Sequence, residues 1–185
     1  IRNFKELFLL SRPNHWVTNL SIFFPVFFSF NKDISLWLIS IQVLISFCLI
    51  SSSIYLINDS IDVENDRKHP KKKFRPIALG LISPEFAIRC SLIYTICALL
   101  LIIKLDYRVS LILIIYYLAQ ISYCLIFKNF PVIEFLFFVF SYLLRPLAGA
   151  IATGLDLSFL LIFIIVIGSL ILIIEKRKAE IFINI

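Results

Sequence analysis

Charge is what this sequence has least of. Only 16% of its 185 residues are Asp, Glu, Lys or Arg, while 61% are hydrophobic and the mean hydropathy is +0.98. Soluble domains carry about a quarter charged residues and roughly half apolar ones. The shortage excludes a soluble globular domain and indicates an integral membrane protein. Glycine is scarce too, and no glycine- or serine-rich linker divides the chain, so residues 1–185 read as a single transmembrane domain. Methionine is absent altogether, which sets the expectation of a piece of a longer protein. Paired cysteines are also missing. Cys48, Cys90, Cys97 and Cys124 all fall inside apolar runs, none in a C-x-x-C spacing, which excludes a zinc ribbon or a disulfide framework. No signal-peptide pattern is evident at the start of the chain.

What is present is a series of apolar runs, each expected to be helical because backbone polar groups in lipid must be satisfied within the segment. Six are predicted, over Trp16–Phe30, Ile34–Ile57, Phe86–Ile103, Val109–Phe127, Val132–Thr153 and Leu157–Ile174. The first is short for a crossing and contains Pro25, so a kink or an earlier start is expected. Residues before it are amphipathic, with Phe4, Leu7, Phe8 and Leu10 against Arg2, Lys5 and Glu6, as suits an interfacial helix. The net charge of +6 is not a nucleic-acid footprint, because the basic residues crowd at the ends of apolar runs. With the N-terminus inside, 13 lysines and arginines fall in cytoplasmic segments and 3 (Lys32, Lys104, Arg108) in outer turns. That asymmetry orients the chain.

Between the second and third spans lies NDSIDVENDRKHPKKKFRP, residues 58–76, where four acids precede a basic run. On a continued helix Asp59, Asp62 and Asp66 stand at i, i+3 and i+7, on one face, with Asn58 at its edge. Stacked carboxylates repel, and a divalent cation removes the penalty. Oxygen ligands select a hard ion, and Mg²⁺ typically takes one or two carboxylates plus substrate phosphates. Lys73 and Arg75 suit the remaining phosphate oxygens. The plain alternative is a solvated charged loop. His69 before Pro70 is expected to end the helix. Asn58 either joins the metal or phosphate shell or simply bonds a helix end.

Two further sites stand out. Arg145 lies mid-span with no acid three or four residues away, so its partner comes from another helix, the acidic loop or an anionic substrate; a structural ion pair or snorkelling is the alternative. Lys176, Arg177 and Glu180 can share one helical face as a second polar cluster, or serve as a positive anchor at a helix end. Arg12, Trp16 and Asn19 at the first span are read the same two ways.

The 58–66 motif resembles the first aspartate-rich motif of the UbiA superfamily of intramembrane prenyltransferases. Its extension through His69-Pro70, Lys73 and Arg75-Pro76 is similar to the decaprenyl-phosphate phosphoribosyltransferase branch. So are SRPNHWVTNLSIFFPVFF at 11–28, FKNFPVIEFLFFVFSYLLRPLAGAIATG at 127–154 and EKRKAE at 175–180. Thr18 and Glu134 depart from the usual lysine and aspartate. The resemblance implies an all-α polytopic bundle with about six of an expected nine helices, C-terminal helices missing and both ends truncated. It implies Mg²⁺ at Asp59, Asp62 and Asp66 as the catalytic centre. Asn58, Lys73, Arg75, Arg145, Lys176, Arg177, Glu180, Arg12 and Asn19 would bind substrate.

The expected function is a Mg-dependent transfer of 5-phosphoribose from phosphoribosyl pyrophosphate to a polyprenyl phosphate. The expected setting is a bacterial inner membrane, with the site facing the cytoplasm. Partners are then a polyprenyl lipid, a diphosphate donor and membrane lipids, with no nucleic acid and no reading of oligomeric state. The alternative is prenylation of an aromatic acceptor such as a hydroxybenzoate from a polyprenyl diphosphate. An anion transporter or an inactive fragment is the reading from a different class.

Overall fold

The computed structural model describes the backbone of residues 2–128 and 131–184, and the side chains of 6–128, 133–171, 174, 175 and 178. Every regular element among them is helical. In chain order these are α1 (Arg2–Leu10), a 3-10 helix (Pro13–Phe23), α2 (Phe24–Phe28), α3 (Ile34–Ile61), α4 (Val63–Lys68), α5 (Pro84–Ile102), α6 (Tyr107–Ser122), α7 (Pro131–Thr153) and α8 (Phe159–Asn184). A short 3-10 turn, Lys72–Phe74, lies between α4 and α5, and a wider π-helical turn, Tyr123–Phe127, extends α6.

Among the described residues, four helical stretches are long and apolar enough to cross a membrane: Ile34–Ile61, Pro84–Ile102, Tyr107–Phe127 and Ile133–Thr153. They correspond to the second through fifth predicted spans. The sixth falls in α8, where Phe159–Ile171 is a shorter apolar helical stretch. The first predicted span is not one helix. It begins earlier, at Pro13, as an eleven-residue 3-10 run and passes into α2 just before Pro25. The 3-10 period of three residues per turn has a consequence. It stacks Trp16, Asn19 and Ile22 on one face, and Asn19 and Ile22 are fully buried there.

Lipid tails are as apolar as leucine, so packing and interhelical hydrogen bonds hold such helices together. The α3–α5 seam illustrates this. The Ser53 hydroxyl donates to the Ser91 carbonyl at 2.9 Å and meets the Thr95 hydroxyl at 2.9 Å. One end of the seam is tied by the Gln42 amide to the Leu101 carbonyl, which makes α3 and α5 antiparallel. The main core joins Ile22, Phe47, Leu113, Tyr116, Leu144 and Ala148. Close approach is deepest where α7 meets the 3-10 helix. A Cβ on Gly149 would lie 2.2 Å from the Ile22 carbonyl oxygen, so only glycine permits that contact.

A second cluster (Leu10, Leu56, Ile77, Ile82, Ala87, Cys90) closes the end of the bundle where the charged segment lies. Ile77 and Ile82 pin the loop after α4. Between them Gly80, at φ +76°, supplies the left-handed residue of the turn in which Leu81 N–H reaches the Pro76 carbonyl at 2.9 Å. Arg75 is thereby held at the base of an anchored loop.

Candidate active site

Asp59 lies in the last turn of α3, Asp62 at the break, and Asp66 on α4. The break is slight. Asp62 N–H donates to the Asn58 carbonyl at 3.0 Å and Asp66 N–H to the Asp62 carbonyl at 2.8 Å, so the helical ladder runs on through the junction. His69 then turns extended (φ −83°, ψ 135°) ahead of Pro70, as steric conflict with proline requires. Its Nδ1 accepts the backbone N–H groups of Lys71 and Lys72, each at 3.2 Å, so this histidine shapes the loop.

Asp59 and Asp66 are only 2% and 3% exposed. Buried carboxylates this close require positive charge. Arg75 supplies it with a single nitrogen: Nη1 lies 3.0 Å from Asp59 Oδ1 and 2.6 Å from Asp66 Oδ2. Arg12 Nη2 reaches the same Asp59 oxygen at 2.6 Å, and its guanidinium rests 4.6 Å above the Tyr55 ring. Arg12 has a left-handed backbone (φ 47°, ψ 60°), a conformation that costs a non-glycine residue on the order of 1–3 kcal/mol. The strain directs the side chain into the bundle at the turn between α1 and the 3-10 helix. Asp62 points elsewhere, to the Lys128 ammonium at the end of the π-helical turn. Asn58 sits at the edge, its amide 3.5 Å from Asp59 Oδ1.

Asp59 and Asp66 thus turn oxygens toward one position that a cationic nitrogen fills. An oxygen-only donor pair around such a position fits a hard cation that takes one or two carboxylates and completes its shell with phosphate and water. Among the described residues no three acidic, histidine or cysteine side chains form a ready cage, so the rest of the shell must come from ligand or solvent. Lys73 is not brought to the acids. It is exposed, its ammonium 5.2 Å from the Phe74 ring.

Arg145 is 7% exposed and bonds three elements at once. Nε donates to Asn19 Oδ1 at 2.7 Å, Nη1 to the Ser141 carbonyl at 2.8 Å, and Nη2 to the Tyr116 hydroxyl at 3.1 Å. The Tyr116 and Tyr142 rings lie 5.2 and 5.1 Å from its guanidinium carbon. No acid pairs with it among the described residues. Its partners, on the 3-10 helix, α6 and its own α7, are therefore neutral oxygens and ring faces. Asn19, expected at the site with Arg12, stands instead with Arg145, three helical elements meeting at that one guanidinium. Lys176, Arg177 and Glu180 lie along α8, but their side chains fall outside the described residues.

Sequence reasoning did not single out Lys128 or Tyr55. Lys128 carries a signal: it is the second residue of the 127–154 stretch that supports the resemblance. Tyr55 carried none beyond standing one turn before Asp59.

A profile of the UbiA prenyltransferase family matches residues 19–178. The decaprenyl-phosphate phosphoribosyltransferase of Mycolicibacterium smegmatis is 32% identical over 174 residues, which is 91% of this chain and 55% of that protein. The enzyme of the same name from Corynebacterium glutamicum is 33% identical over 178 residues, 94% of this chain and 54% of that protein. The chain therefore spans a little over half the length of these relatives. In fold it superposes on a UbiA homologue from Archaeoglobus fulgidus, solved with GPP and Mg²⁺, with a TM-score of 0.81 at 19% identity. That match covers 97% of this chain and 65% of that one. A digeranylgeranylglyceryl phosphate synthase structure matches with a TM-score of 0.76 at 24% identity, over 94% of this chain and 60% of that one. A match that runs from Asn19 in the 3-10 helix to Lys178 in α8, over a bundle of the same architecture, makes this chain a member of the UbiA prenyltransferase family.

Proposed function

We propose that this chain forms the diphosphate-binding part of a membrane enzyme that transfers 5-phosphoribose from phosphoribosyl pyrophosphate to a polyprenyl phosphate. The observation that carries the reading is the convergence of buried Asp59 and Asp66 on one cationic position at the mouth of the bundle. The donor and acceptor are taken from the relatives named decaprenyl-phosphate phosphoribosyltransferase, which cover nearly all of this chain.

Asp59 and Asp66 would hold magnesium, and Asp62, one turn from Asp59, would have to leave Lys128 to join them. Bound there, the ion supplies Lewis-acid charge to the departing pyrophosphate. Arg75 and Arg12 stand beside those carboxylates and can donate to phosphate oxygens in forked geometry. Asn58 lies at the edge of the same group. As the ribose carbon becomes oxocarbenium-like, an oxygen of the lipid phosphate attacks it. That oxygen is ionised at neutral pH, so the chain needs no strong base, and positioning carries much of the rate. Arg145 and Asn19 fix the 3-10 helix against α7. Lys176, Arg177 and Glu180 are proposed as substrate-binding residues on the family resemblance alone, and exposed Lys73 as a contact on the outer approach of the donor. The charged end faces the cytoplasm of a bacterial inner membrane, where a soluble phosphorylated donor is available.

The test uses the full-length protein in nanodiscs with labelled phosphoribosyl pyrophosphate, polyprenyl phosphate and Mg²⁺. A labelled lipid product is expected, falling on the order of 100-fold or more in Asp59→Asn. No product from this pair, with product from a polyprenyl diphosphate and a hydroxybenzoate, would establish the aromatic prenylation chemistry instead.

A further inference from the structure

We infer that Arg75, seconded by Arg12, is a built-in placeholder for the divalent cation, displaced from Asp59 and Asp66 when a metal diphosphate enters and then turned onto its phosphates. The inference rests on the magnesium-diphosphate reading above.

Charge balance is the first reason. Asp59, Asp62 and Asp66 are matched by Arg12, Arg75 and Lys128, so the closed group is neutral. A dication entering alone would leave excess positive charge in a site whose two central carboxylates are almost wholly buried. A metal diphosphate is itself an anion, and its entry gives the released guanidinium groups a partner. Cation and diphosphate should therefore bind cooperatively, each raising the affinity of the other by the same factor.

Geometry is the second reason. One nitrogen, Arg75 Nη1, bridges both acids, which is the place a shared cation takes. The side chain is 22% exposed, so it has open space to move into, while Ile77 and Ile82 keep its backbone fixed. Arg12 donates to the Asp59 oxygen that also accepts from Arg75, so both guanidinium groups compete with a metal ion for that one oxygen. Arg75 is in this sense a positioning residue: it keeps two mutually repelling acids together before the ion arrives.

Mn²⁺ is the probe, with full-length protein in nanodiscs and inorganic pyrophosphate present or absent; because pyrophosphate itself complexes Mn²⁺, protein-bound metal is read as the excess held on the protein side of a dialysis membrane at equal pyrophosphate. The expected wild-type result is weak Mn²⁺ binding alone, tightened at least tenfold by pyrophosphate. Arg75→Gln should bind Mn²⁺ alone at least tenfold more tightly than wild type, and pyrophosphate should then add little. Arg75→Lys, which keeps the charge, should restore the wild-type pattern, and a thermal melt identifies any variant that has not folded. If Arg75→Gln fails to fold, Arg12→Gln should show the same tightening to a smaller extent. Mn²⁺ binding that is lost in Asp59→Asn but unchanged in folded Arg75→Gln and Arg12→Gln would overturn the exchange and leave the metal site standing. No Mn²⁺ binding by wild type, even with pyrophosphate, would overturn both.

Discussion

At the scale of single residues, the arginines Arg75 and Arg145 behave differently. Arg75 is tied to carboxylates, whereas Arg145 is held by neutral oxygens from Asn19, Ser141 and Tyr116. The guanidinium fork is what lets one side chain bond three elements, and a lysine ammonium is not its geometric equal. Arg145→Lys should therefore lower stability by about 1–3 kcal/mol through the partners it leaves unpaired, read as unfolding in detergent. An unchanged melt would mean that those bonds carry no structural weight.

At the scale of elements, the contact between the 3-10 helix and α7 decides where Asn19 stands. Gly149→Ala places a methyl carbon against the Ile22 carbonyl, where neither backbone can yield cheaply. A cost of about 1–3 kcal/mol is expected from thermal unfolding, with reduced activity because Asn19 lies one 3-10 turn before Ile22. Gly168→Ala, which meets nothing within 4 Å, is the control and should be neutral or slightly stabilising. These elements also mark what was legible before the structure. Long uninterrupted apolar runs yielded α3, α5, α6 and α7 to within a few residues, because hydropathy measures the property lipid demands. The face shared by Asp59 and Asp66 followed from helix period. The Trp16–Phe30 segment did not follow, because a 3-10 run and an α-helix carry similar hydropathy and only the tertiary contacts choose between them. Arg12 to Asp59, Lys128 to Asp62 and Asn19 to Arg145 join residues 47, 66 and 126 positions apart, and no local pattern encodes such pairs.

At the scale of the whole molecule, sidedness ties the fold to the chemistry. Arg12, Arg75 and Lys128 all gather at the end of the bundle that holds the acids. Lys32, Lys104 and Arg108 fall at the other end, where a cleft of about 320 Å³ lined partly by Arg108 and Asp156 lies far from the acids. On the function proposed above, the positive excess would put the acidic end on the cytoplasmic side. Single cysteines test this directly. Lys72 and Lys104 are both exposed, one in the loop after α4 and one between α5 and α6. Cys48, Cys90 and Cys124 are buried, and the exposed Cys97 is replaced by serine to remove its background. Lys104→Cys should react with an impermeant maleimide added to intact cells, and Lys72→Cys only after the inner face is opened in inverted vesicles. The reverse pattern would put the carboxylates on the side where phosphoribosyl pyrophosphate does not occur, and a cytosolic donor could not reach them.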